Sequence, residues 1–190
     1  MGGVLLKDNN DPAKYHEQQA DFVTGSPMFV DNDHAYIHKG FSYTGGLTTN
    51  AATESINFLL CTPADKYVHF RPVQVSTVVP AVIVSLYENS TLTSTDGTAV
   101  SLINRNRNSG STAASILRRT TQPSTSATTT LLDTEFVGGG TGVGAARSGA
   151  TISGQHEFVL KKSSVYPITV TGSSANAIGV KFFLYEEDEG

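Results

Sequence analysis

Two histidines, His34 and His38, are four residues apart, the spacing at which two metal ligands share one face of a helix. Residues 35–37 and the following Gly40 have the pattern of a strand, and no glutamate follows His34 where a zinc protease needs one. We therefore expect strand histidines with ordinary hydrogen-bond partners and no metal site.

Five glycines between positions 138 and 144 follow a predicted strand, as they would in a phosphate-binding loop. Such a loop needs a helix directly after it, with N-terminal amides that face the phosphate. Ser148 and Gly149 end any helix within a turn, and no Gly-Lys-Ser or Gly-Lys-Thr is present. The glycines therefore predict a hairpin or an inter-strand loop without a nucleotide.

Nothing in the sequence has the local setting of an activated nucleophile. The chain lacks Gly-x-Ser-x-Gly, and its single cysteine, Cys61, lies in an apolar run where a thiol is usually buried and inert. Asp31 and Asp33 lack the further ligands of a calcium loop. We expect no catalytic residue, no metal and no cofactor, and hence a protein that is not an enzyme.

Arg105 and Arg107 alternate with asparagines in the run from Asn104 to Ser109. In an extended chain both guanidinium groups point to one face, where they can pair bidentately with carboxylates of a neighbouring chain or with phosphates. The alternatives are a polar edge strand that ends in a turn and, third, nucleic acid, which the lack of interleaved aromatic residues disfavours. Partner contact comes first, since two arginines are costly to order without an acceptor.

Composition limits the class of protein. The 190 residues carry a net charge of −4 and only 16% are charged. That balance gives no general reason to bind nucleic acid, and the apolar run near the N-terminus is too short for a signal peptide or a membrane span. We expect synthesis in the cytoplasm and no nucleic-acid, membrane or small-molecule partner. The acidic run at residues 186–189 predicts a solvated tail, with electrostatic contact to a basic partner as the second alternative.

From residue 35 onward, short strand patterns recur between breakers such as Gly45-Gly46. The predicted strands cover residues 35–44, 55–61, 67–77, 79–88, 98–104, 129–137, 155–160, 166–171 and 178–186. Eight or nine short strands predict an all-β fold, an antiparallel, jelly-roll-like β-sandwich over residues 35–190. The Ser/Thr-rich segment 109–130 predicts a solvated loop or an arm that a partner chain orders.

Residues 1–34 predict an extended N-terminal arm outside the sandwich, because too few apolar residues recur to close a core. Within the arm, Asp11-Pro12 predicts the start of a short helix, with Tyr15 and Phe22 on one face. Residues 31–33 predict a turn.

The sequence resembles the small capsid decoration, or cement, proteins that stabilise the heads of tailed bacteriophages. Four runs carry the resemblance: His38-Lys39-Gly40-Phe41, Asn104 to Ser109, Phe158-Val159-Leu160 before Tyr166, and Leu184-Tyr185-Glu186. It covers residues 35–186, and the Arg-Asn run is its specific part. It implies a sandwich domain on the capsid exterior, commonly a trimer that clamps neighbouring major capsid proteins, and it brings no catalytic residues.

We therefore expect a structural virion protein that binds the outer surface of the capsid lattice as a homotrimer, with the major capsid protein and itself as partners. The contact candidates are Tyr15, Phe22 and Phe29 in the arm, and Arg105 and Arg107. The alternative is a tail- or fibre-associated sandwich that binds host carbohydrate. Sugar sites usually expose Trp or Tyr, and this chain has no Trp and seven Tyr, most of them in strand patterns.

Overall fold

The computed structural model describes the chain in nine stretches: residues 4–7, 15–18, 32–77, 82–88, 91–92, 95–120, 129–137, 148–151 and 157–188. The chain divides into two compact units, residues 1–35 and residues 36–190. The predicted glycine loop between 138 and 144 lies outside the described residues.

In the first unit, β1 (Val4–Lys7) pairs antiparallel with β2 (Tyr15–Gln18). The short helix predicted from Asp11 is therefore wrong over residues 15–18. A helix of two or three turns is marginal without apolar packing, whereas the apolar run of β1 offers a partner strand.

A helix, α1 (Asn32–Lys39), occupies the segment for which a turn and a strand were predicted. Asparagine and aspartate favour helix N-termini as well as turns, and the basic His38 and Lys39 lie in the last turn, where they complement the helix dipole. Gly40 ends the helix in a left-handed conformation with φ of 77°. The strand predicted from residue 35 therefore begins only at Ser42.

His34 and His38 consequently share a helix, contrary to the strand on which their prediction rested. The described residues contain no group of three or more His, Cys, Asp or Glu side chains that could hold a metal ion.

The second unit is an all-β sandwich of two antiparallel sheets, which confirms the predicted fold class. Its strands are β3 (Ser42–Cys61), β4 (Lys66–Thr77), β5 (Val82–Glu88), β6 (Thr98–Val100), β7 (Ile103–Asn104), β8 (Ile116–Thr120), β9 (Thr130–Val137), β10 (Ser148–Thr151), β11 (Phe158–Leu160) and β12 (Val165–Asp188).

Two long strands, β3 and β12, run antiparallel to each other through both sheets. The second half of β3 pairs with the first half of β12, and the first half of β3 with the second half of β12. Register shifts between Thr171 and Ile178 separate these halves, so the two strands pass together from one sheet into the other. The two strands predicted at 166–171 and 178–186 are one strand for this reason.

The predicted breaker Gly45-Gly46 lies inside β3 and does not interrupt it. A Cβ atom at Gly45 would approach the side chains of Leu102 and Leu117 to 3.0 and 3.1 Å, and one at Gly46 would lie 2.6 Å from the Val180 carbonyl oxygen. The two glycines therefore permit close approach of neighbouring parts of the chain within a strand. In the sequence alone, a Gly-Gly pair of this kind cannot be distinguished from one that marks a turn.

The remaining strands complete the two sheets around this pair. Sheet 1 has the order β6-β8-β3-β12-β5-β9, and sheet 2 has the order β7-β3-β12-β4, with β10 and β11 both paired to β4. Along the chain, β3 pairs with β12, β4 with β10 and β11, and β5 with β9. The strand pairing is therefore nested along the chain, with β3 and β12 as the outermost pair.

The core lies between the two sheets. Phe58 of sheet 1 contacts Phe182 of sheet 2 edge to face with ring centroids 4.6 Å apart, and the Phe70 ring lies 6.4 Å from that of Phe182. All three side chains are essentially buried. The contact therefore joins the two sheets within the apolar core.

Part of the segment predicted as a solvated loop, residues 109–130, is instead a core strand. Residues Ile116–Thr120 form β8 between β3 and β6, and Leu117 is 1% exposed. A short strand needs only one or two inward apolar residues when both of its edges are paired. The Ser/Thr-rich residues on both sides of β8 therefore kept it from being predicted as a strand.

Replacing Phe182 by alanine is expected to lower the free energy of unfolding by about 3–5 kcal/mol, because the cavity would lie between the two sheets. Urea denaturation monitored by circular dichroism measures the loss. Val159→Ala is the control, since Val159 is 59% exposed and a surface change should stay within about 0.5 kcal/mol. Equal effects of the two substitutions would contradict the assigned core.

Candidate interaction surface

The run from Asn104 to Ser109 is a folded loop built on asparagine side chains. Asn104 is buried, and its amide nitrogen donates to the carbonyl oxygens of Gly40 at 2.7 Å and Ser111 at 3.0 Å. Its side-chain oxygen accepts the backbone N–H of Asn106 at 2.9 Å. One side chain therefore joins the end of α1 to both ends of the loop.

Asn106 repeats the same geometry one turn further along. Its side-chain oxygen accepts the backbone N–H of Asn108 at 3.1 Å, and its amide nitrogen donates to the carbonyl oxygen of His38 at 3.0 Å. The backbone N–H of Ser109 also bonds to the Asn106 carbonyl oxygen at 3.0 Å. Asparagines that bond the backbone two residues on produce consecutive turns, so the alternation specifies a loop rather than a strand.

The two arginines of this loop do not form the predicted ladder. The backbone N–H and Nη1 of Arg105 donate to the carbonyl and hydroxyl oxygens of Ser42 at 2.9 and 3.2 Å, and its guanidinium lies 5.5 Å from the centre of the Phe183 ring. Arg107 lies in the following turn and is exposed. The ladder is wrong because it required an extended chain, and the asparagine bonds hold this chain in turns.

The acidic run at residues 186–189 is not a solvated tail over the part that is described. Glu186 is 2% exposed, and its carboxylate accepts the backbone N–H groups of Ala114 and Ser115 at 2.9 and 2.7 Å. Asp188 bonds Lys66 on the neighbouring strand. Because β12 continues to Asp188, these carboxylates belong to the sheet, and Glu186 fixes the chain that leads into β8.

A stack of three rings lies on the outer face of sheet 2. Tyr185 of β12 lies between Tyr36 of α1 and His69 of β4, at centroid distances of 4.1 and 4.3 Å. Glu187 closes the stack: its carboxylate accepts the Tyr36 hydroxyl at 2.9 Å and lies 3.4 Å from His69 Nε2. The stack ties the last turn of α1 to the sheet.

A second carboxylate, Glu157, lies on the other side of His69. It accepts the Tyr185 hydroxyl, contacts His69 Nδ1 at 2.8 Å and accepts Arg71 Nε at 3.1 Å. Burial raises the pKa of Glu157, but the hydrogen bonds from Tyr185, His69 and Arg71 outweigh burial and hold this pKa below its usual value. Burial and the nearby Glu157 raise the pKa of Tyr185, so the hydroxyl keeps its proton and donates it.

This network was not predicted, and the sequence carries only a weak signal for it. His69 and Arg71 alternate with buried Val68 and Phe70, which places both side chains on the outer face of β4. Their carboxylate partner is 88 and 86 residues away along the chain. The pairing follows from the β4–β11 register, which places Phe158 opposite Phe70.

The three contact candidates of the arm stay predictions. Tyr15 begins β2, where side chains are not described, and Phe22 and Phe29 lie outside the described residues.

Comparison with known proteins gives this surface no precedent, since no family model, curated protein or solved structure matches the chain. Among the described residues, no helix is long and apolar enough to cross a bilayer.

Asn104→Ala is expected to lower the free energy of unfolding by about 2–3 kcal/mol, because it removes three hydrogen bonds, one of them to the carbonyl oxygen of the buried Gly40. Denaturant titration measures this loss, and amide hydrogen exchange of residues 104–111 locates it. Asn108→Ala is the matched control, because Asn108 is exposed. A loop that keeps its exchange protection in Asn104→Ala would contradict the role of this side chain.

Glu157→Gln is expected to lower the free energy of unfolding by about 1 kcal/mol at pH 7, after allowance for partial solvent screening. Because the pKa of Glu157 is depressed in the folded state, its contribution is present above the unfolded pKa, near 4.5, and is lost as the pH falls through the folded pKa. Wild type and variant should therefore converge in stability between about pH 5 and pH 3.

Urea titrations at several pH values measure that convergence. Asp65→Asn, a change at an exposed carboxylate between β3 and β4, is the control. Its difference in stability from wild type should stay the same at every pH. A gap that widens as the pH falls would contradict the assigned network.

Proposed function

We propose that the protein decorates the outer surface of a bacteriophage capsid, bound as a homotrimer to the lattice of the major capsid protein. The loop from Asn104 to Ser109 carries the proposal. It is the most specific part of the resemblance to decoration proteins, and side-chain bonds from Asn104 and Asn106 fix its shape while Arg107 is exposed.

A loop of this kind suits recognition of a protein lattice. Binding residues commonly lie on loops that a rigid scaffold positions, and a loop that is ordered in advance loses less conformational entropy on binding. The guanidinium of Arg107 offers a planar pair of donors for a carboxylate of the capsid protein. Arg105 has a structural role in the proposal: its guanidinium packs over the Phe183 ring and so anchors the loop to β12.

Assembly as a homotrimer is supported by exposed apolar side chains along one edge of sheet 1. Strand β9 pairs only with β5 among the described strands, and it carries Phe136 at 70% and Leu131 at 51% exposure. Ile83 lies opposite Phe136 on β5 and is 36% exposed. An apolar edge of this kind favours pairing with a second copy, and three linked copies would turn weak lattice contacts into avidity.

The test mixes the purified protein with phage heads that lack their decoration. Wild-type protein should co-sediment with the heads and add density in negative-stain images. Arg107→Glu should weaken this binding at least about tenfold, because it replaces an attractive charge by a repulsive one. Lys161→Glu, a charge reversal between β11 and β12 that replaces an ion pair with Glu88 by a repulsive contact, is the control and should bind normally once its folding is checked by circular dichroism.

Three further measurements test the trimer, the contribution of the arm and the choice of partner separately. Light scattering should give a trimer, and a monomeric wild type would overturn that part alone. A protein without residues 1–25 should keep the sandwich and reveal how much the arm adds to lattice binding. Bare heads after mixing with wild type, together with retention on a polysaccharide column, would overturn the proposal in favour of carbohydrate binding.

A further inference from the structure

A groove of about 720 Å³ lies beside the paired strands β3 and β12, a volume within the range of ligand sites. Its lining includes Thr44, Gly46, Leu47, Ile103, Lys181 and Phe183. Lys181 and Phe183 alternate along β12 with the core residues Val180 and Phe182, so both point outward from sheet 2. The groove is separate from the ring stack, which begins at Tyr185.

The groove combines apolar surface with positive charge. Ile103 is 48% exposed and Phe183 is half-buried. Lys181 is exposed and has no ion-pair partner within the described part of the chain, and the Arg105 guanidinium lies over the Phe183 ring. Positive charge in a groove of a protein with net charge −4 favours a ligand that carries carboxylates next to apolar side chains.

The backbone beside the groove includes an edge of β3 with which none of the described strands pairs. On the side away from β12, β3 pairs with β7 only at Tyr43 and Thr44, and with β8 only from Asn57 to Cys61. No described strand covers the stretch between these pairings. The carbonyl of Ser42 bonds Arg105 on that same side. Backbone groups alternate along a strand, so those of Gly46 point to the open edge.

We propose that this groove binds an extended acidic segment of a partner protein, which adds a strand to the edge of β3 at Gly46. Main-chain hydrogen bonds to the edge would supply affinity, and the groove would select alternate side chains of the segment. Its carboxylates would face Lys181 and Arg105, while an apolar side chain would lie against Ile103 and Phe183. The inference does not depend on the proposed function, because it makes no assumption about a capsid.

The first measurement uses two fluorescein-labelled octapeptides: one repeats Glu-Thr-Val-Thr, so that glutamate and valine follow each other along one face of an extended strand, and the other has lysine in place of glutamate. In fluorescence anisotropy, the full-length protein should bind the glutamate peptide, with affinity that falls as salt rises. The lysine peptide should bind at least about tenfold more weakly. Equal binding of both peptides would overturn the charge argument.

Variants place the contact on the groove. Lys181→Glu should weaken binding of the glutamate peptide about tenfold, since an attractive exposed pair becomes repulsive. Ile103→Ser should weaken it several-fold by removing apolar contact. Lys161→Glu is the control: it reverses a charge outside the groove, at a residue that pairs with Glu88, and it should bind like wild type, with thermal unfolding used to show that every variant is folded. A Lys161→Glu effect as large as that of Lys181→Glu would overturn the site.

Hydrogen exchange tests the added strand. Saturation with the glutamate peptide should slow exchange of the Gly46 amide, because that N–H would enter a new ladder. Unchanged exchange at Gly46 in a protein that binds the peptide would overturn strand addition. Polygalacturonate, an acidic polysaccharide, is the competing probe: if it binds through Lys181 and the glutamate peptide does not, a protein segment is the wrong ligand.

Discussion

The antiparallel pairing of β3 with β12 is the constraint on which the rest of the fold depends. It spans both sheets, so each strand needs inward apolar side chains along much of its length and close approach of neighbouring chain where the packing within sheet 2 is tight. Gly45 and Gly46 meet the second demand on β3, because side chains there would collide with Leu102, Leu117 or the backbone of β12. All other strands of the second unit pair, directly or through a neighbour, with these two strands.

Several polar contacts lie at the end of the β3–β12 pair where Ser42 is opposite Tyr185. Ser42 holds the Asn-Arg loop through Arg105, Glu186 holds the chain that leads into β8, and Tyr185 holds α1 through its stack with Tyr36. Each contact joins segments that are distant in sequence through one buried or half-buried polar side chain. The register of β3 against β12 at this end therefore determines where α1 and the Asn-Arg loop lie on the surface, as well as which strands pair.

Sequence pattern predicted the strands best where alternation was strong, as in β4, where buried Val68 and Phe70 alternate with outward side chains. It failed where one residue type serves two structures: glycine inside β3, and asparagine or aspartate at the start of α1. The Asn-Arg run was identified as unusual, but its shape depends on hydrogen bonds to Gly40 and His38, which no local pattern reveals. The Glu157 network is likewise a product of register.

The outward side chains of β12 divide the outer face of sheet 2 into two parts of different character. Tyr185 and Glu187 belong to a network whose donors and acceptors bond one another, so a partner that binds there must first break those bonds. Lys181 and Phe183 face a groove beside an edge of β3 that no described strand pairs, and the Arg105 guanidinium lies above the Phe183 ring. A new contact costs least in desolvation and broken bonds on the second part. The first part therefore has the character of structural support, and this difference supports the proposals that place recognition at the groove and the adjoining Asn-Arg loop.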